Sequence, residues 1–221
     1  MKNIIYALDS GLLNESDVFG RWYNTMPEYR RAKIDSFRFD KDKKLSLAAG
    51  ILAYKALSEA GVDQSEVVFA EYSKPMVKDK EVYFNLSHSG DYAVCALSDK
   101  PVGVDIQKLR PFADNLVRFV YSPQEKQFVE SFPESERDRE YTKLWTVKES
   151  IMKYLGTGIS VGAKKITVDA SGTMSASCVG YDLSHLHFTC FEIQDHFVTA
   201  CSPYSCFVQD ISWVTGEYLN G

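Results

Sequence analysis

The chain has 221 residues, of which 45% are hydrophobic, so it can bury a core without help from metals or disulfides. Its formal net charge of -5 speaks against a protein whose whole surface binds nucleic acid. Five cysteines, an odd number without a Cys-x-x-Cys pair, argue against a disulfide framework or a thiolate zinc site and favour reduced thiols in a cytoplasmic protein.

Neither end of the chain nor its interior predicts a membrane segment. The apolar run near the N terminus stops at Asp9, before it reaches signal-peptide length. Elsewhere, no stretch approaches the roughly 18 apolar residues that a membrane helix needs. We therefore expect a soluble protein that binds neither membranes nor nucleic acid.

Charge is unevenly distributed along the chain. Between Arg21 and Lys44, eight basic residues stand against four acidic ones, a local balance of +4. Clustered positive charge can attract a phosphorylated ligand. A solvated surface of mixed charge explains the segment equally well on this observation alone.

Periodicity predicts a helix and a hairpin in the first half. Apolar residues at three- and four-residue spacings indicate a helix over 44–57. Residues 82–86 and 92–97 read as strands on either side of a polar turn. The predicted hairpin carries three polar side chains at its tip: Ser87, His88 and Ser89.

Two further segments, 102–107 and 122–125, contain acidic side chains whose positions the local pattern predicts. Residues 102–107 alternate apolar and polar, the period of a half-buried strand, so Asp105 and Gln107 project from one face. The sequence from Ser122 to Glu125 predicts a helix start with a capping box, which gives Glu125 a structural role.

A long helix is predicted from Arg139 to about Leu155. Its residues Trp145, Glu149 and Lys153 recur every four positions and therefore line one edge. After it, residues 166–168, 187–193 and 197–201 read as strands of a second helix-and-sheet unit. Residues 91–96 and 195–200 share three identities in six positions, which hints at related halves.

Several of these side chains allow more than one interpretation. Asp105 and Glu149 could hold Mg2+, which uses one or two protein carboxylates, but spacing alone favours ordinary surface acids with Glu149 paired to Lys153. His88 between two serines suits phosphate binding better than hydrolysis, since a Gly-x-Ser-x-Gly elbow is missing. The spacing of His185, His187 and Cys190 fits no common zinc pattern.

Three ordered segments resemble the Sfp-type 4'-phosphopantetheinyl transferases of the holo-carrier-protein synthase superfamily. They are Phe84-Asn-Leu-Ser-His-Ser-Gly90, Val102-Gly-Val-Asp-Ile-Gln107 and Leu144-Trp-Thr-Val-Lys-Glu-Ser-Ile-Met-Lys153. Residues 72–75, 119–125 and 156–158 add supporting matches, so the resemblance covers most of the chain. Any one motif would be weak, whereas their order and spacing together are specific.

The resemblance implies an α+β fold built as a pseudo-dimer of two similar α+β halves, with coenzyme A in the cleft between them. We expect the halves to span 1–110 and 111–221 and the protein to be a monomer. The implied reaction is Mg2+-dependent transfer of 4'-phosphopantetheine from coenzyme A to a serine of an acyl or peptidyl carrier protein, with release of adenosine 3',5'-bisphosphate. The alternatives are an inactive homologue that binds coenzyme A or a carrier protein, and a hydrolase of nucleotide diphosphates.

The resemblance also assigns site residues. It implies that Asp105 and Glu149 hold Mg2+ on the coenzyme A diphosphate, and that Glu125 lies near the reacting hydroxyl. The base is Glu149, Glu125 or a metal-bound water, with Glu149 or its water preferred. The implied phosphate contacts come from four residues: Lys74, Ser87, His88 and Lys153.

Two departures from the family pattern bear on binding. Gln107 stands where many members have a glutamate, so a third negative ligand becomes a neutral amide. Unit charges 4 Å apart interact by ~4 kcal/mol at an effective dielectric near 20, so we expect Mg2+ to enter largely with coenzyme A, Gln107 contributing its oxygen or a bridging water. Tyr29 and Ala32 stand where lysines are frequent, and neighbouring cations could substitute: Arg30, Arg31 and Lys33.

Overall fold

The computed structural model describes residues 3–69 and 74–221. The helices of this part of the chain are α1 (Ser16–Thr25), α2 (Glu28–Asp35), α3 (Asp40–Glu59), α4 (Asp114–Val120), α5 (Pro123–Glu130), α6 (Glu134–Leu155) and α7 (Gly216–Asn220). Its strands are β1 (Ile4–Asp9), β2 (Val67–Phe69), β3 (Pro75–Val77), β4 (Tyr83–Ser89), β5 (Tyr92–Ser98), β6 (Gly103–Lys108), β7 (Ile166–Asp169), β8 (Ser175–Cys178), β9 (His187–Ile193), β10 (His196–Ser202) and β11 (Ser212–Trp213).

The two larger sheets have the same construction. The first has the order β11-β1-β5-β4 and the second the order β6-β10-β9. In each, the opening strand of the half lies antiparallel to the second strand of a hairpin, β1 beside β5 and β6 beside β10. The smaller sheets are the pairs β2-β3 and β7-β8.

The backbone contacts at the strand ends repeat as well. The N–H of Ser10, which follows β1, donates to the carbonyl of Asp91 at 2.8 Å. The N–H of Leu109, which follows β6, donates to the carbonyl of Asp195 at 2.7 Å. The sequence echo between 91–96 and 195–200 therefore marks equivalent positions, and the predicted α+β pseudo-dimer is confirmed.

The halves do not divide where we predicted. A boundary after residue 110 would put β6 in the first half, but β6 pairs with β10 in the second sheet. The last strand, β11, returns to lie parallel to β1 in the first sheet. Alternation along a segment identifies a strand but carries no information about its partner, which here lies about ninety residues away.

The two sheets face each other and each carries a helix on its outer side. Alternate residues of β1, β5, β6 and β10 form the apolar layer between the sheets: Ile5, Ala7, Val94, Ala96, Val104, Ile106, Val198 and Ala200. Helix α3 covers the outer face of the first sheet, and α6 packs on the second. Consequently β6 is buried on both sides along residues 103–106, rather than on one side as its alternation predicted.

Helix α6 approaches β6 at backbone distance. A Cβ added to Gly103 would lie 2.0 Å from the carbonyl oxygen of Ser150 and 2.7 Å from the nitrogen of Tyr154. Any side chain at residue 103 would therefore push the helix off the strand. The glycine of the Val-Gly-Val-Asp segment sets the distance between the strand that carries Asp105 and the helix that carries Glu149.

Polar side chains of β4 join the two halves. The side-chain oxygens of Asn85, Ser87 and Ser89 accept hydrogen bonds from alternate backbone N–H groups of β6, at 2.9, 3.3 and 3.0 Å. The donors are the N–H groups of Val104, Ile106 and Lys108. Side chains thus take the place of a backbone ladder between β4 and β6.

The observed elements extend the predicted ones. The predicted helix 44–57 is α3 and begins at Asp40, while the predicted helix from Arg139 is α6 and begins at Glu134. Both extra stretches are polar, and apolar periodicity does not detect them. Strand β4 runs on to Ser89, so the predicted hairpin tip is corrected, because the serines and His88 lie in the strand and only Gly90 and Asp91 turn.

None of the helices described in residues 3–69 and 74–221 is long and apolar enough to cross a membrane.

We expect Asn85→Ala to destabilise the protein, because it removes the acceptor of the buried Val104 N–H. A buried donor left without a partner costs about 1–3 kcal/mol of unfolding free energy, measurable by urea denaturation. Ser89→Ala is the matched control: its partner Lys108 N–H is only part-buried and can turn to water, so the loss is smaller. Equal losses in the two variants would contradict the structural role of Asn85.

Candidate active site

A cavity of about 630 Å³ lies between the two halves. Residues of α2, α3 and β4 line it from the first half, and residues of β6 and α6 line it from the second. The α6 residues are Trp145, Glu149 and Lys153, so the edge predicted from their four-residue spacing faces the cavity.

Asp105 is the most strongly bonded acid in the cavity. It is 1% exposed, and its Oδ1 accepts from Lys153 Nζ at 2.6 Å and from Ser87 Oγ at 2.7 Å. Its Oδ2 accepts from Gln107 Nε2 at 2.9 Å, which confirms that the two β6 side chains share a face. A buried carboxylate needs this many donors, since an unpaired charge would be costly there.

Ser87 connects the joint between the halves to this network. Its hydroxyl donates to Asp105, and its oxygen accepts from Lys153 Nζ at 2.6 Å and from the Ile106 N–H at 3.3 Å. The serine is buried. In this structure the hydrogen bonds of Ser87 therefore fix the positions of Asp105 and Lys153.

Glu149 lies one helical turn before Lys153 and lines the same cavity. Burial, followed by the nearby charge of Asp105, raises the pKa of Glu149 to about 7, although Lys153 and Arg110 oppose the shift. The Lys153 ammonium bonds to Asp105 and Ser87. Lys153 therefore does not form the simple surface ion pair with Glu149 that spacing alone favours.

The donor set fits a hard divalent cation. Asp105 and Glu149 offer carboxylates of like charge, and Gln107 gives its Nε2 to Asp105, which leaves Oε1 as the amide atom able to bind a cation. Within the described residues, no group of three or more His, Cys, Asp or Glu side chains could hold a metal. Two acids and an amide are the cavity's candidate metal ligands.

Cations of the first half surround His88. Arg30 and Lys33 line the cavity with it, and Arg30 is buried with one N–H donating to the carbonyl of Ser46 at 2.6 Å. Burial between the cleft walls, then the charges of Lys153, Lys33 and Arg30, lower the pKa of His88. The basic segment therefore contributes Arg30 and Lys33 to the cavity.

Lys74, a predicted phosphate contact, lies at the end of α6. Its Nζ donates to the carbonyls of Lys153 at 2.6 Å and Tyr154 at 3.0 Å, in the last turn of α6. The final carbonyls of a helix lack partners within it, so a lysine there acts as a cap. Lys74 is not among the residues that line the cavity, and the neighbouring Tyr72 and Ser73 lie outside the described residues.

Glu125 lies away from the cavity as well. It closes the predicted capping box at the start of α5, accepting from the Ser122 N–H at 2.7 Å. The Val168 N–H donates to its other oxygen at 2.8 Å, and Lys148 Nζ lies 2.9 Å from the carboxylate. Both oxygens of this buried carboxylate have partners, and Glu125 is not among the residues that line the cavity, so in this structure its contacts are those of a structural residue.

Lys148 is the centre of this buried arrangement. Besides Glu125, its ammonium reaches the carbonyls of Val120, Ala163 and Ile166, at 3.2, 3.0 and 2.5 Å. It therefore ties α6 to the end of α4 and to the segment that enters β7. Lys148 and Glu149 are neighbours in sequence but point in different directions from the helix, Lys148 into the core and Glu149 into the cavity.

Sequence reasoning missed several residues that line the cavity. Arg110 follows β6 directly, and its charge acts on Glu149. Gln64 and Phe69 come from the segment that leads into and forms β2. No spacing or motif marked these side chains, because segments that are distant in sequence bring them to the cavity.

Two family models cover most of the chain. The model described as the 4'-phosphopantetheinyl transferase superfamily matches residues 101–204. The model described as 4'-phosphopantetheinyl transferase, N-terminal, matches residues 15–100. Their shared limit falls before β6, where the second sheet begins.

Similar proteins carry the same description. The 4'-phosphopantetheinyl transferase Sfp of Bacillus subtilis is 27% identical over 208 residues, covering 90% of this chain and 92% of its own. The 4'-phosphopantetheinyl transferase psf-1 of Bacillus pumilus is 32% identical over 146 residues, 64% of this chain and 63% of its own. A solved holo-(acyl-carrier-protein) synthase from Bacillus anthracis, in complex with CoA (3',5'-ADP), is 19% identical with a TM-score of 0.40 and covers 46% of this chain and 92% of its own.

The chain thus combines two similar α+β halves with a cavity between them that contains two acids and a lysine: Asp105, Glu149 and Lys153. The chain belongs to the 4'-phosphopantetheinyl transferase superfamily, in its Sfp-type branch.

We expect Lys148→Met to cost about 3–5 kcal/mol of unfolding free energy, because it leaves the Glu125 charge buried without its partner. Replacing both residues, as in Glu125→Leu with Lys148→Met, removes the unpaired charge but should recover only part of that loss, because the Ser122 and Val168 N–H groups lose their buried acceptor. Lys80→Met, in an exposed pair with Glu66, is the control and should change the free energy by at most ~1 kcal/mol. A Lys148→Met variant as stable as the control would refute the buried pair; denaturant titration decides.

Proposed function

We propose that this chain transfers the 4'-phosphopantetheine group of coenzyme A to a serine hydroxyl of an acyl or peptidyl carrier protein, with Mg2+ and with release of adenosine 3',5'-bisphosphate. The observation that carries the proposal is the convergence of Asp105, Glu149 and Lys153 in one cavity between the halves. We propose further that the protein acts as a monomer in the cytoplasm.

The charges of the cavity suit a diphosphate. Asp105, Glu149 and Gln107 would hold the Mg2+ ion, which when bound neutralises charge on the diphosphate. Opposite them, Lys153, Arg30, Lys33 and His88 offer donors for phosphate oxygens.

We propose that Lys153 changes its ion-pair partner when coenzyme A binds. Its ammonium lies 2.6 Å from Asp105 Oδ1 and lines the cavity, so a cation is already in place beside the proposed metal ligands. When coenzyme A binds, we propose that Lys153 exchanges Asp105 for an oxygen of the phosphate under attack. A preformed ammonium at that place stabilises the charge that develops during transfer.

Glu149 is the best candidate for the base. Its carboxylate lines the cavity beside Asp105 and Lys153, where it could take the hydroxyl proton directly or through a water that it holds. The carrier's serine oxygen then bonds to phosphorus, the phosphorus–oxygen bond to adenosine 3',5'-bisphosphate breaks, and the hydroxyl proton passes to Glu149. Glu125, buried against Lys148, takes no part in this step.

We expect Glu149→Gln and Lys153→Met each to lower kcat roughly 10²-fold or more, since the first removes the base and the second removes the phosphate's cation. The assay incubates the protein with coenzyme A, Mg2+ and an apo carrier, and follows the mass gain of phosphopantetheine on the carrier. Lys143→Met, on the same helix but outside the cavity, is the matched control and should retain wild-type kcat.

Two results of this assay would overturn the proposal. The absence of any mass gain on carriers from fatty-acid, polyketide and peptide synthesis would favour the inactive binding homologue. Release of adenosine 3',5'-bisphosphate without a carrier, at a rate unchanged by adding one, would favour hydrolysis.

We expect Mg2+ to bind the free protein weakly and to bind much more tightly with coenzyme A present, since the site has a neutral amide where a third acid would add affinity. Gln107→Glu should tighten Mg2+ binding to the free protein at least tenfold, because a further carboxylate close to a dication is worth up to ~4 kcal/mol. Titration calorimetry measures both. Tight binding of Mg2+ by the free wild-type protein would contradict this role of Gln107.

A further inference from the structure

Two equivalent aromatic residues meet where the hairpins of the two halves begin their second strands. The echo between 91–96 and 195–200 aligns Tyr92, the first residue of β5, with His196, the first residue of β10. Their rings pack edge to face, with centroids 4.9 Å apart and planes at 82°. His196 is only 1% exposed. Its imidazole is therefore enclosed at the boundary between the two halves.

Gly90, in the turn between β4 and β5, leaves the space that this imidazole occupies. A Cβ added to residue 90 would lie 2.2 Å from His196 Nε2. The ring of the second half thus packs directly against the turn of the first half. Ser89, the residue before Gly90, accepts from the Lys108 N–H in the last of the three hydrogen bonds between β4 side chains and the β6 backbone. His196 therefore lies at the end of the joint between β4 and β6.

The imidazole of His196 is buried without the hydrogen bonds that would stabilise a proton on it. Neither ring nitrogen has a hydrogen-bond partner among the residues that the structure describes. Asp195 Oδ1 lies 2.8 Å from Nδ1, but the two groups are not aligned for a hydrogen bond. The Asp195 side chain is also 46% exposed, so water screens its charge. Burial without a partner disfavours the charged form of a histidine, so the folded protein favours the neutral ring.

The acids around His196 already have cationic partners. Lys108 Nζ lies 3.5 Å from a carboxylate oxygen of Asp91 and 3.5 Å from one of Asp195. Lys41 of α3 is a second cation on Asp91, at 3.0 Å. A proton on the imidazole would therefore add a positive charge beside Lys108 rather than neutralise a free acid.

The pKa values of the two rings agree with this arrangement. Burial lowers the pKa of His196 against the opposing charge of Asp195, and Lys108 lowers it further. Burial, followed by the charges of Asp9 and Asp91, raises the pKa of Tyr92, so the phenol that faces His196 carries no negative charge near neutral pH.

We propose that His196 forms a pH-sensitive contact between the halves: the neutral ring packs against Gly90 and Tyr92, whereas the imidazolium leaves this place and loosens the end of the joint between β4 and β6. The unfolded chain binds a proton at this histidine near pH ~6.5, and the folded chain only at lower pH. Stability is therefore lost as the pH falls below about 6.5, until the folded ring is protonated as well. The contact involves neither coenzyme A nor a carrier protein, so it is independent of the proposed function.

Urea denaturation at about pH 7.5 and about pH 5.5 tests the contact. Acidification should raise the unfolding equilibrium constant of the wild type roughly three- to tenfold more than that of His196→Phe, which keeps a ring but cannot take up a proton. His196→Gln provides a second variant without a titrating group. His187→Gln, at an exposed histidine of β9, is the matched control and should keep the pH dependence of the wild type. The same pH dependence in the wild type and in both His196 variants would overturn the proposal.

A second measurement uses the wild-type protein alone and so does not depend on how the variants fold. The ring protons of His196, followed by NMR through a pH titration, should report protonation below pH ~6.5. Over the same range, the Lys108 N–H should lose protection from hydrogen exchange about fivefold, because its bond to Ser89 lies beside the ring. A ring that titrates at or above pH ~6.5 in the folded protein, or protection that stays constant while the ring titrates, would contradict the proposed contact.

Discussion

Three hydrogen bonds between the side chains of β4 and the backbone of β6 hold the two halves in register. Asn85, Ser87 and Ser89 lie two residues apart, and so do the three N–H groups that they bind. Because the periods match, sliding the halves by one residue would break all three bonds, and sliding them by two would leave at least one acceptor without its donor. The cavity lies along this joint, so its dimensions depend on it.

Ser87 makes the joint and the candidate site into one network. The same hydroxyl group accepts from the β6 backbone and from Lys153, and donates to Asp105. Gly103 acts on the other side of β6, where it lets α6 approach until Glu149 and Lys153 reach the strand's acids. The candidate metal ligands therefore come from a strand and a helix whose separation is set by packing, which a water-exposed loop could not maintain.

Electrostatics explain why adjacent residues of α6 differ so much in role. Lys148 points into the core, where Glu125 and three carbonyls compensate its charge. Glu149 points into the cavity, where burial and Asp105 raise its pKa. A buried pair of this kind stabilises only while both partners remain, so Glu125 cannot leave Lys148 to act as a base.

Local sequence patterns were sufficient to predict several helices and strands and the relative placement of the side chains on them. The four-residue spacing of Trp145, Glu149 and Lys153 placed them on one edge, the alternation of β6 placed Asp105 beside Gln107, and the capping box of Glu125 appeared as predicted. These features depend on backbone periods and on contacts within a few residues, which the order of amino acids specifies directly. The ordered motifs identified the family by the same kind of local information.

Long-range packing decided the rest. The partner of β6, the turn of Lys74 onto the end of α6, and the pairing of Glu125 with Lys148 each join segments that lie 23 to about 90 residues apart. Periodicity is silent on such contacts, because it describes which way a side chain points and not what it meets. Tyr29, Gln64 and Phe69 line one cavity although they come from α2 and from the segment that leads into and forms β2, and no motif in the chain predicts that they meet.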